Sequence, residues 1–166
     1  MASLVLVGLP GTGKSAVGAQ IAASWGCAFI DTDEMVAQDV GSTTGQYLRE
    51  HGEPAFRTIE CEVLATALEH DAVVATGGGV VTTPEARRLL AGQRTIWLDC
   101  ADDEILGRLG DGDRPLLGDD PSGAIRRLRN ERAAWYREVS RERVDASGTL
   151  DEVVARVLQA SAKVEQ

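Results

Sequence analysis

Residues 4–25 read LVLVGLPGTGKSAVGAQIAASW and predict a strand, a glycine-rich loop and a helix in immediate succession. The run Leu4–Val7 is apolar and ends at Gly8, and from Lys14 to Trp25 apolar side chains recur at helical spacing. A strand that leads directly into a helix is the first half of a crossover between parallel strands. The opening stretch therefore predicts an α/β fold with a parallel sheet.

The loop, GLPGTGKS at residues 8–15, matches the phosphate-binding pattern GxxxxGKS in the strand-to-helix context that the pattern requires. Glycines let backbone amides turn inward around phosphate oxygens, and the helix directs its positive end at the same anion. A plain glycine-rich turn would explain the glycines, but not lysine and serine at these offsets. The residues expected to contact the nucleotide are Gly11, Thr12, Gly13, Lys14, Ser15 and Ala16.

The rest of the chain alternates short apolar runs with helical patterns, which implies a parallel sheet covered by helices on both faces. We predict further strands at residues 27–30, 72–75, 95–98 and 143–145. We predict helices at residues 34–40, 43–51, 53–70, 84–90, 122–137 and 150–163. Residues 107–120, rich in glycine and acidic side chains, are interpreted as a loop. Since no repeat or linker interrupts this order, we expect one domain over residues 1–166.

Composition limits the classes of function. The 166 residues include 26 acidic and 17 basic ones, and the formal charge of −9 disfavours binding to nucleic acid or an anionic membrane. Cys27, Cys61 and Cys100 are widely spaced and include no CxxC pair, which argues against a disulfide framework or zinc site and indicates a reducing compartment. The N-terminus has no basic region followed by a long apolar run, so we expect a cytoplasmic location.

Two aspartates, Asp31 and Asp33, follow the second predicted strand. Ligands of open parallel sheets bind at the carboxyl ends of the strands, which makes both residues candidates for the site. One carboxylate can address a metal ion through its water shell while the other meets an acceptor hydroxyl. Either residue can instead cap the following helix, because aspartate commonly precedes a helix.

Three arginines and a glycine run complete the candidate site. The glycines at 77–79 follow the third strand and either admit a ligand to the backbone or form a tight turn. Arg57 either faces a ligand or pairs with Glu60 on the helix surface. Arg114 can swing onto a transferring phosphate, and Arg132 can form a planar fork for a carboxylate. In an acidic protein, each arginine can also be a solvated ion-pair partner.

Together these motifs resemble the shikimate kinase family over residues 3–160. GKS alone is shared by many families, whereas DTD, the Arg57 segment, GGG and RPLL in this order are far more specific. The motifs that carry the resemblance are GLPGTGKS at 8–15, DTD at 31–33, FR at 56–57, GGG at 77–79, RPLL at 114–117 and RAAWY at 132–136.

The resemblance implies a three-layer α/β/α P-loop kinase fold with a five-stranded parallel sheet. A helical substrate-binding segment would lie around residues 32–60 and a lid around residues 109–120. The implied reaction transfers the γ-phosphoryl group of ATP to the 3-hydroxyl of shikimate, a step of chorismate and aromatic amino acid biosynthesis. The implied cofactor is Mg²⁺, and the implied partners are the small molecules ATP and shikimate, bound by a monomer.

On the nucleotide side, the resemblance implies that Lys14 stabilises the β- and γ-phosphates and that Arg114 stabilises the transferring phosphoryl group. Ser15 would ligate Mg²⁺, and Asp31 would hold a metal-bound water. Arg108 matches an arginine that stacks on adenine.

On the acceptor side, the resemblance implies that Asp33 binds the hydroxyls of shikimate and orients, or deprotonates, the attacking one. Arg57 and Arg132 would clamp the carboxylate. Gly78 and Gly79 would approach the ring from the backbone.

Two other functions stay open at this point. Another small-metabolite kinase of the same fold, such as a gluconate kinase, would share the P-loop but should lack the paired carboxylate-binding arginines and the GGG segment. A nucleotide-binding regulatory module without turnover would lack acceptor residues such as Asp33, Arg57 and Arg132.

Overall fold

The computed structural model describes residues 2–109 and 117–164, and within them strands alternate with helices. The strands are β1 (Leu4–Val7), β2 (Ala28–Asp31), β3 (Ala72–Ala75), β4 (Thr95–Asp99) and β5 (Glu142–Asp145). The helices are α1 (Lys14–Trp25), α2 (Thr32–Val40), α3 (Thr44–His51), α4 (Glu53–Glu69), α5 (Pro84–Ala91), α6 (Asp102–Arg108), α7 (Pro121–Val139) and α8 (Leu150–Val164). Most of the lid expected at residues 109–120, including Arg114, lies outside the described residues.

The strands form one parallel sheet in the order β2-β3-β1-β4-β5, which confirms the predicted α/β class. In the central register, Val5 lies between Val74 of β3 and Thr95 of β4. The three central strands are buried along their whole length, whereas β2 and β5 at the edges are partly exposed. Unbroken apolar runs such as LVLV are typical of parallel strands that are covered on both faces.

The direction of each crossover decides which face a helix covers. The chain crosses the sheet in one direction from β1 through α1 to β2, and in the opposite direction through α4, α5 and α7. Right-handed crossovers therefore place α1 on one face and α4, α5 and α7 on the other. In agreement, α8 packs against α1, and α5 packs against α4 and α7. Among the described helices, none combines the length and apolar character needed to cross a membrane.

The helical segment after β2 has a small core of its own. Val36 of α2 is buried together with Phe56 and Val63 of α4, and Tyr47 of α3 packs against them. This cluster is separate from the main core, which lies between the sheet and its helices. The segment expected to bind substrate is therefore a packed helical unit beside the carboxyl ends of β2 and β3.

Helix α6 was not predicted from the sequence. It spans seven residues, and three consecutive acidic residues fill its first turn. Acidic side chains stabilise a helix N-terminus. In a helix of seven residues, however, three acidic positions leave too few apolar residues for a helical spacing to be recognised. Ile105 is its one residue buried in the core. Residues 107 and 108, which the sequence assigns to the loop, end this helix.

Asp99, at the end of β4, is a buried carboxylate that joins three elements. It is 4% exposed, and Arg129 of α7 donates to its Oδ1 over 2.5 Å. Arg143 of β5 donates to Oδ2 over 2.7 Å, and Arg129 also donates to Asp102 over 2.7 Å. Asp99 therefore ties α7 to both neighbouring strands.

Replacing Asp99 with asparagine removes the charge that both arginines share. Because loss of one partner leaves buried charge uncompensated, we expect the free energy of unfolding to fall by about 3 kcal/mol. Urea denaturation measures this change. Asp39→Asn, at an exposed position of α2, is the control and should change stability by less than about 0.5 kcal/mol. Equal effects of the two substitutions would contradict a structural role for Asp99.

Candidate active site

The phosphate-binding loop connects β1 to α1 at the carboxyl edge of the sheet. Gly11 and Gly13 have φ values of 79° and 91°, in the left-handed region that glycine adopts without a steric penalty. The Thr12 side chain is buried and donates to the Leu9 carbonyl over 2.9 Å. Because α1 begins at Lys14, its first-turn amides point back toward the loop. This geometry favours an anion at the mouth of the loop.

Lys14 is folded back onto this loop. It is 8% exposed, and its Nζ donates to the carbonyls of Gly8 and Leu9, both over 2.9 Å. An ammonium has three donors, so it can make a further hydrogen bond to a phosphate oxygen. Burial lowers the pKa of Lys14 to about 8, although the nearby carboxylates of Asp33 and Asp31 oppose this shift.

Asp31 uses its two carboxylate oxygens for different purposes. Oδ1 accepts hydrogen bonds from the backbone amides of Asp33 and Glu34, at 2.9 Å and 3.4 Å, and so caps α2. Oδ2 accepts from the Ser15 hydroxyl over 2.5 Å. The cap considered from the sequence is therefore present at Asp31, and the same side chain still faces the nucleotide loop.

The Ser15 and Asp31 oxygens have the chemistry that Mg²⁺ requires. Magnesium prefers hard oxygen ligands and keeps several waters, so it usually takes one or two protein side chains and otherwise phosphate oxygens. In the part of the chain that the structure describes, no group of three or more His, Cys, Asp or Glu side chains could hold a metal ion. A hydroxyl beside a single carboxylate fits a magnesium ion that arrives with the nucleotide.

Asp33 opens onto the cleft between α2 and the end of β3. A Cβ atom on Gly77 would lie 2.6 Å from Asp33 Oδ1, so the carboxylate rests directly on the backbone there. Although its surface is exposed, the surrounding protein removes much of its water. This desolvation raises the pKa of Asp33, the neighbouring Asp31 raises it further, and Lys14 and Arg57 oppose the shift.

Each glycine of the run at residues 77–79 has another group where its side chain would be. A Cβ atom on Gly77 would also lie 2.9 Å from Glu60 Oε1, and one on Gly78 would lie 2.7 Å from Cδ of Pro10. A Cβ atom on Gly79 would overlap the Arg57 guanidinium. The protein's own groups, from the phosphate-binding loop and from α2 and α4, therefore lie against this backbone, and the approach of a ligand to it stays a prediction.

Arg57 and Glu60 form an ion pair inside the site. Arg57 Nη1 and Glu60 Oε2 are 2.6 Å apart, and the two side chains are 14% and 3% exposed. Burial raises the pKa of Glu60, and Arg57 opposes this shift. The pairing with Glu60 considered from the sequence is real, but it lies in the interior and not on the helix surface. Glu60 was not predicted as a site residue, although it is in register with the buried positions Val63 and Leu64.

Arg132 lies on α7 and faces the same cleft. Its charge lowers the pKa of Lys14, and it also lowers the pKa of Tyr136, one helical turn later, against the larger effect of burial. Among the described residues, the Nε atoms of Arg57 and Arg132 are buried donors without a hydrogen-bond partner. Buried donors are rarely left unpaired, so both guanidinium groups have hydrogen-bonding capacity for an anion.

Arg108 connects the phosphate-binding loop to the loop that follows β5. Its guanidinium donates to the carbonyls of Thr12, Ala146 and Gly148 over 3.3, 2.6 and 3.3 Å. It lines a pocket of about 170 Å³ together with Ala16, Val17, Leu150 and Val153. The adenine role of Arg108 stays a prediction; the α8 residues that line the same pocket were not selected from the sequence, because they are far from the motif along the chain.

The structure thus brings together nearly all of the residues selected from the sequence. Gly11 to Ala16 form the loop and the start of α1, and Asp31, Asp33, Arg57, Gly78, Gly79 and Arg132 surround its open side. Arg114 lies outside the described residues.

Comparison with solved structures supports the fold and favours shikimate kinases over other kinases of this fold. The chain superposes on shikimate kinase from Acinetobacter baumannii in complex with shikimate with a TM-score of 0.91 and 32% identity, covering 96% of this chain and 92% of that one. Shikimate kinase from Aquifex aeolicus gives a TM-score of 0.82 at 32% identity, covering 98% and 96%. A gluconokinase from Sinorhizobium meliloti, at a TM-score of 0.63 and 21% identity over 98% and 93%, shares the fold alone.

Sequence relatives agree with the structural match. A shikimate kinase of Streptomyces avermitilis is 42% identical over 157 residues, 93% of this chain and 92% of that protein. One from Corynebacterium jeikeium is 42% identical over 146 residues, 87% and 79% of the two chains. The family model for shikimate kinase matches residues 10–162. The chain belongs to the shikimate kinase family.

Proposed function

We propose that this chain transfers the γ-phosphoryl group of ATP to the 3-hydroxyl of shikimate, giving ADP and 3-phosphoshikimate. The observation that carries the proposal is the meeting of two sets of groups at one edge of the sheet. Lys14 and the loop form the phosphate side. On the acceptor side, Asp33 and Arg132 lie close enough to Lys14 to change its pKa, which Asp33 raises and Arg132 lowers. A hydroxyl acceptor that carries a carboxylate matches this combination of charges.

On the phosphate side, the loop amides and Lys14 bind the β- and γ-phosphates and neutralise charge that develops during transfer. Ser15 and Asp31 would hold Mg²⁺, which when bound neutralises phosphate charge and helps to align the β- and γ-phosphates. Asp31 is fixed for this role because the cap on α2 holds its carboxylate in place. Arg114 is proposed to neutralise the transferring group from the lid.

On the acceptor side, Asp33 accepts a hydrogen bond from the attacking hydroxyl. The hydroxyl oxygen bonds to the γ-phosphorus as the bond from phosphorus to the β,γ-bridging oxygen breaks, and the hydroxyl proton passes to Asp33 or to water. Arg57 and Arg132 hold the carboxylate through planar, charge-assisted hydrogen bonds. The backbone at Gly78 and Gly79 approaches the ring. Phosphoryl transfer depends mainly on this alignment.

The adenine is proposed to bind in the pocket beside Arg108. The guanidinium is anchored by backbone carbonyls at Thr12 and Ala146, so it presents a fixed planar surface. Leu150 and Val153 of α8 supply apolar contacts. A flat guanidinium above an apolar wall suits a stacked base.

We further propose that residues 1–166 form one domain, which acts as a cytoplasmic monomer on small molecules. Residues from all five described strands contribute to one hydrophobic core. The cysteines, Cys27, Cys61 and Cys100, are free thiols, as in a reducing compartment. Light scattering at assay concentrations tests the monomer against a mass of 17.7 kDa.

The first test is a coupled ADP-release assay with MgATP and shikimate. We expect shikimate-dependent turnover, and we expect Lys14→Ala to reduce kcat on the order of 100-fold or more, because a charge that stabilises the transition state is lost. Gluconate and a nucleoside monophosphate are the control acceptors. Turnover with a control acceptor but not with shikimate would leave a P-loop kinase and reject the proposed substrate.

Arg57→Ala should raise the KM for shikimate on the order of tenfold or more, with a smaller effect on kcat, because Arg57 binds a carboxylate remote from the reacting hydroxyl. Steady-state kinetics with shikimate as the varied substrate measure the effect. Arg49→Ala, at an exposed position of α3, is the matched control and should leave both constants unchanged. An unchanged KM in Arg57→Ala would reject the carboxylate clamp.

The pH dependence of kcat/KM should have two limbs. The charge on Lys14 is present below about pH 8 and is lost above it, so kcat/KM for MgATP should fall above about pH 8. Because the pKa of Asp33 is raised, kcat/KM for shikimate should begin to fall in acid at a higher pH than an ordinary aspartate would cause. Lys14→Arg keeps its charge at all assay pH values, and an identical alkaline limb in this variant would exclude Lys14 as its source.

A further inference from the structure

Tyr136 is a buried phenol whose hydroxyl touches the wall of the acceptor site. It lies on α7, is 1% exposed, and its hydroxyl donates to the Gly78 carbonyl over 2.5 Å. The two residues are 58 positions apart along the chain. Burial raises the pKa of Tyr136 to about 12, so the phenol keeps its proton over the working range of an enzyme. The donor in this hydrogen bond is therefore always present.

The charge of Arg132 also acts on this phenol. Arg132 precedes Tyr136 by four residues on α7, so the two side chains lie on one face of the helix. The positive charge of Arg132 opposes the effect of burial on the pKa of Tyr136.

The ring of Tyr136 is held in place by packing. It stacks on Trp97 of β4, with the ring centroids 5.7 Å apart and the planes inclined by 28°. Trp97 is itself buried in the core, at 4% exposure. The ring is therefore packed against the sheet, while the bond to Gly78 positions the hydroxyl.

The glycine run also lies against the phosphate-binding loop. A Cβ atom on Gly78 would lie 2.7 Å from Cδ and 3.0 Å from Cγ of Pro10. Gly78 thus contacts both Pro10 of the loop and the Tyr136 hydroxyl. A shift of this glycine would change the distance between the acceptor wall and the phosphates.

We infer that Tyr136 is a positioning residue for the acceptor, whose hydroxyl holds the Gly78 backbone of the acceptor site in place. It touches neither the reacting hydroxyl nor the nucleotide in this role. This inference rests on the proposed shikimate kinase activity and adds a residue that controls acceptor affinity.

Tyr136→Phe removes the hydroxyl and keeps the ring. We expect the KM for shikimate to rise roughly tenfold, as for loss of a buried hydrogen bond, with the KM for MgATP changed by less than about twofold. The wild-type protein is measured first in the same assay. Absence of wild-type turnover would reject the proposed function, whereas wild-type turnover with an unchanged shikimate KM in Tyr136→Phe would overturn the positioning role.

Trp97→Phe is the matched control, since it weakens the stacking but retains the hydroxyl. We expect a lower Tm with the shikimate KM within about twofold of wild type. If Tyr136→Phe behaves in the same way, with a lower Tm and unchanged shikimate KM, Tyr136 is only a packing residue. A parallel rise of both substrate KM values in Tyr136→Phe would likewise overturn the inference, because it would indicate general distortion.

A second measurement does not depend on the stability of Tyr136→Phe. The chain contains two tyrosines, so incorporation of 3-fluorotyrosine gives two ¹⁹F resonances, and Tyr47→Phe assigns them. Saturating shikimate should shift the Tyr136 resonance, because the shikimate ring is proposed to pack against the Gly78 backbone, whose carbonyl accepts from the phenol. A Tyr136 resonance that shikimate leaves unchanged would overturn the inference.

Discussion

The acceptor site depends on the absence of side chains at residues 77–79. Three neighbouring groups approach this backbone more closely than a Cβ atom would permit: the Asp33 carboxylate, the Pro10 ring and the Arg57 guanidinium. A methyl group at any of the three positions would push one of them away. Because one group belongs to the phosphate loop and two belong to the acceptor side, the glycine run fixes the distance between the two halves of the site.

Charge inside this site is arranged before any ligand binds. Glu60 neutralises part of the Arg57 guanidinium and orients it, while the Nε atoms of Arg57 and Arg132 are buried donors without partners among the described residues. Burying such groups lowers stability, since each unpaired donor loses its hydrogen bonds to water. A carboxylate ligand bound there, as we propose, would supply the missing acceptors, and the site would need little reorganisation to bind it. The net charge of −9 makes this local positive cluster necessary for an anionic substrate.

Where a signal was contiguous, the sequence predicted the structure well. The loop from Gly8 to Ser15 was identified with its strand and helix, because all of its contacts are made within a few residues. Asp31 was predicted both as a cap and as a site residue, and the structure shows a cap whose second oxygen meets Ser15. Helix α6 was missed because seven residues with an acidic first turn carry too little periodicity.

The sequence alone determined the class of fold and the kind of chemistry, because apolar period and motif spacing are local properties. Only the tertiary structure decided which charges are buried. Glu60 and Asp99 look like surface residues along the chain, yet they lie in the interior because arginines from the same or distant elements neutralise them. The bond from Tyr136 to Gly78 joins residues 58 positions apart, and no local pattern encodes it. Such contacts exist only once the crossovers have brought α4, α7 and β3 together.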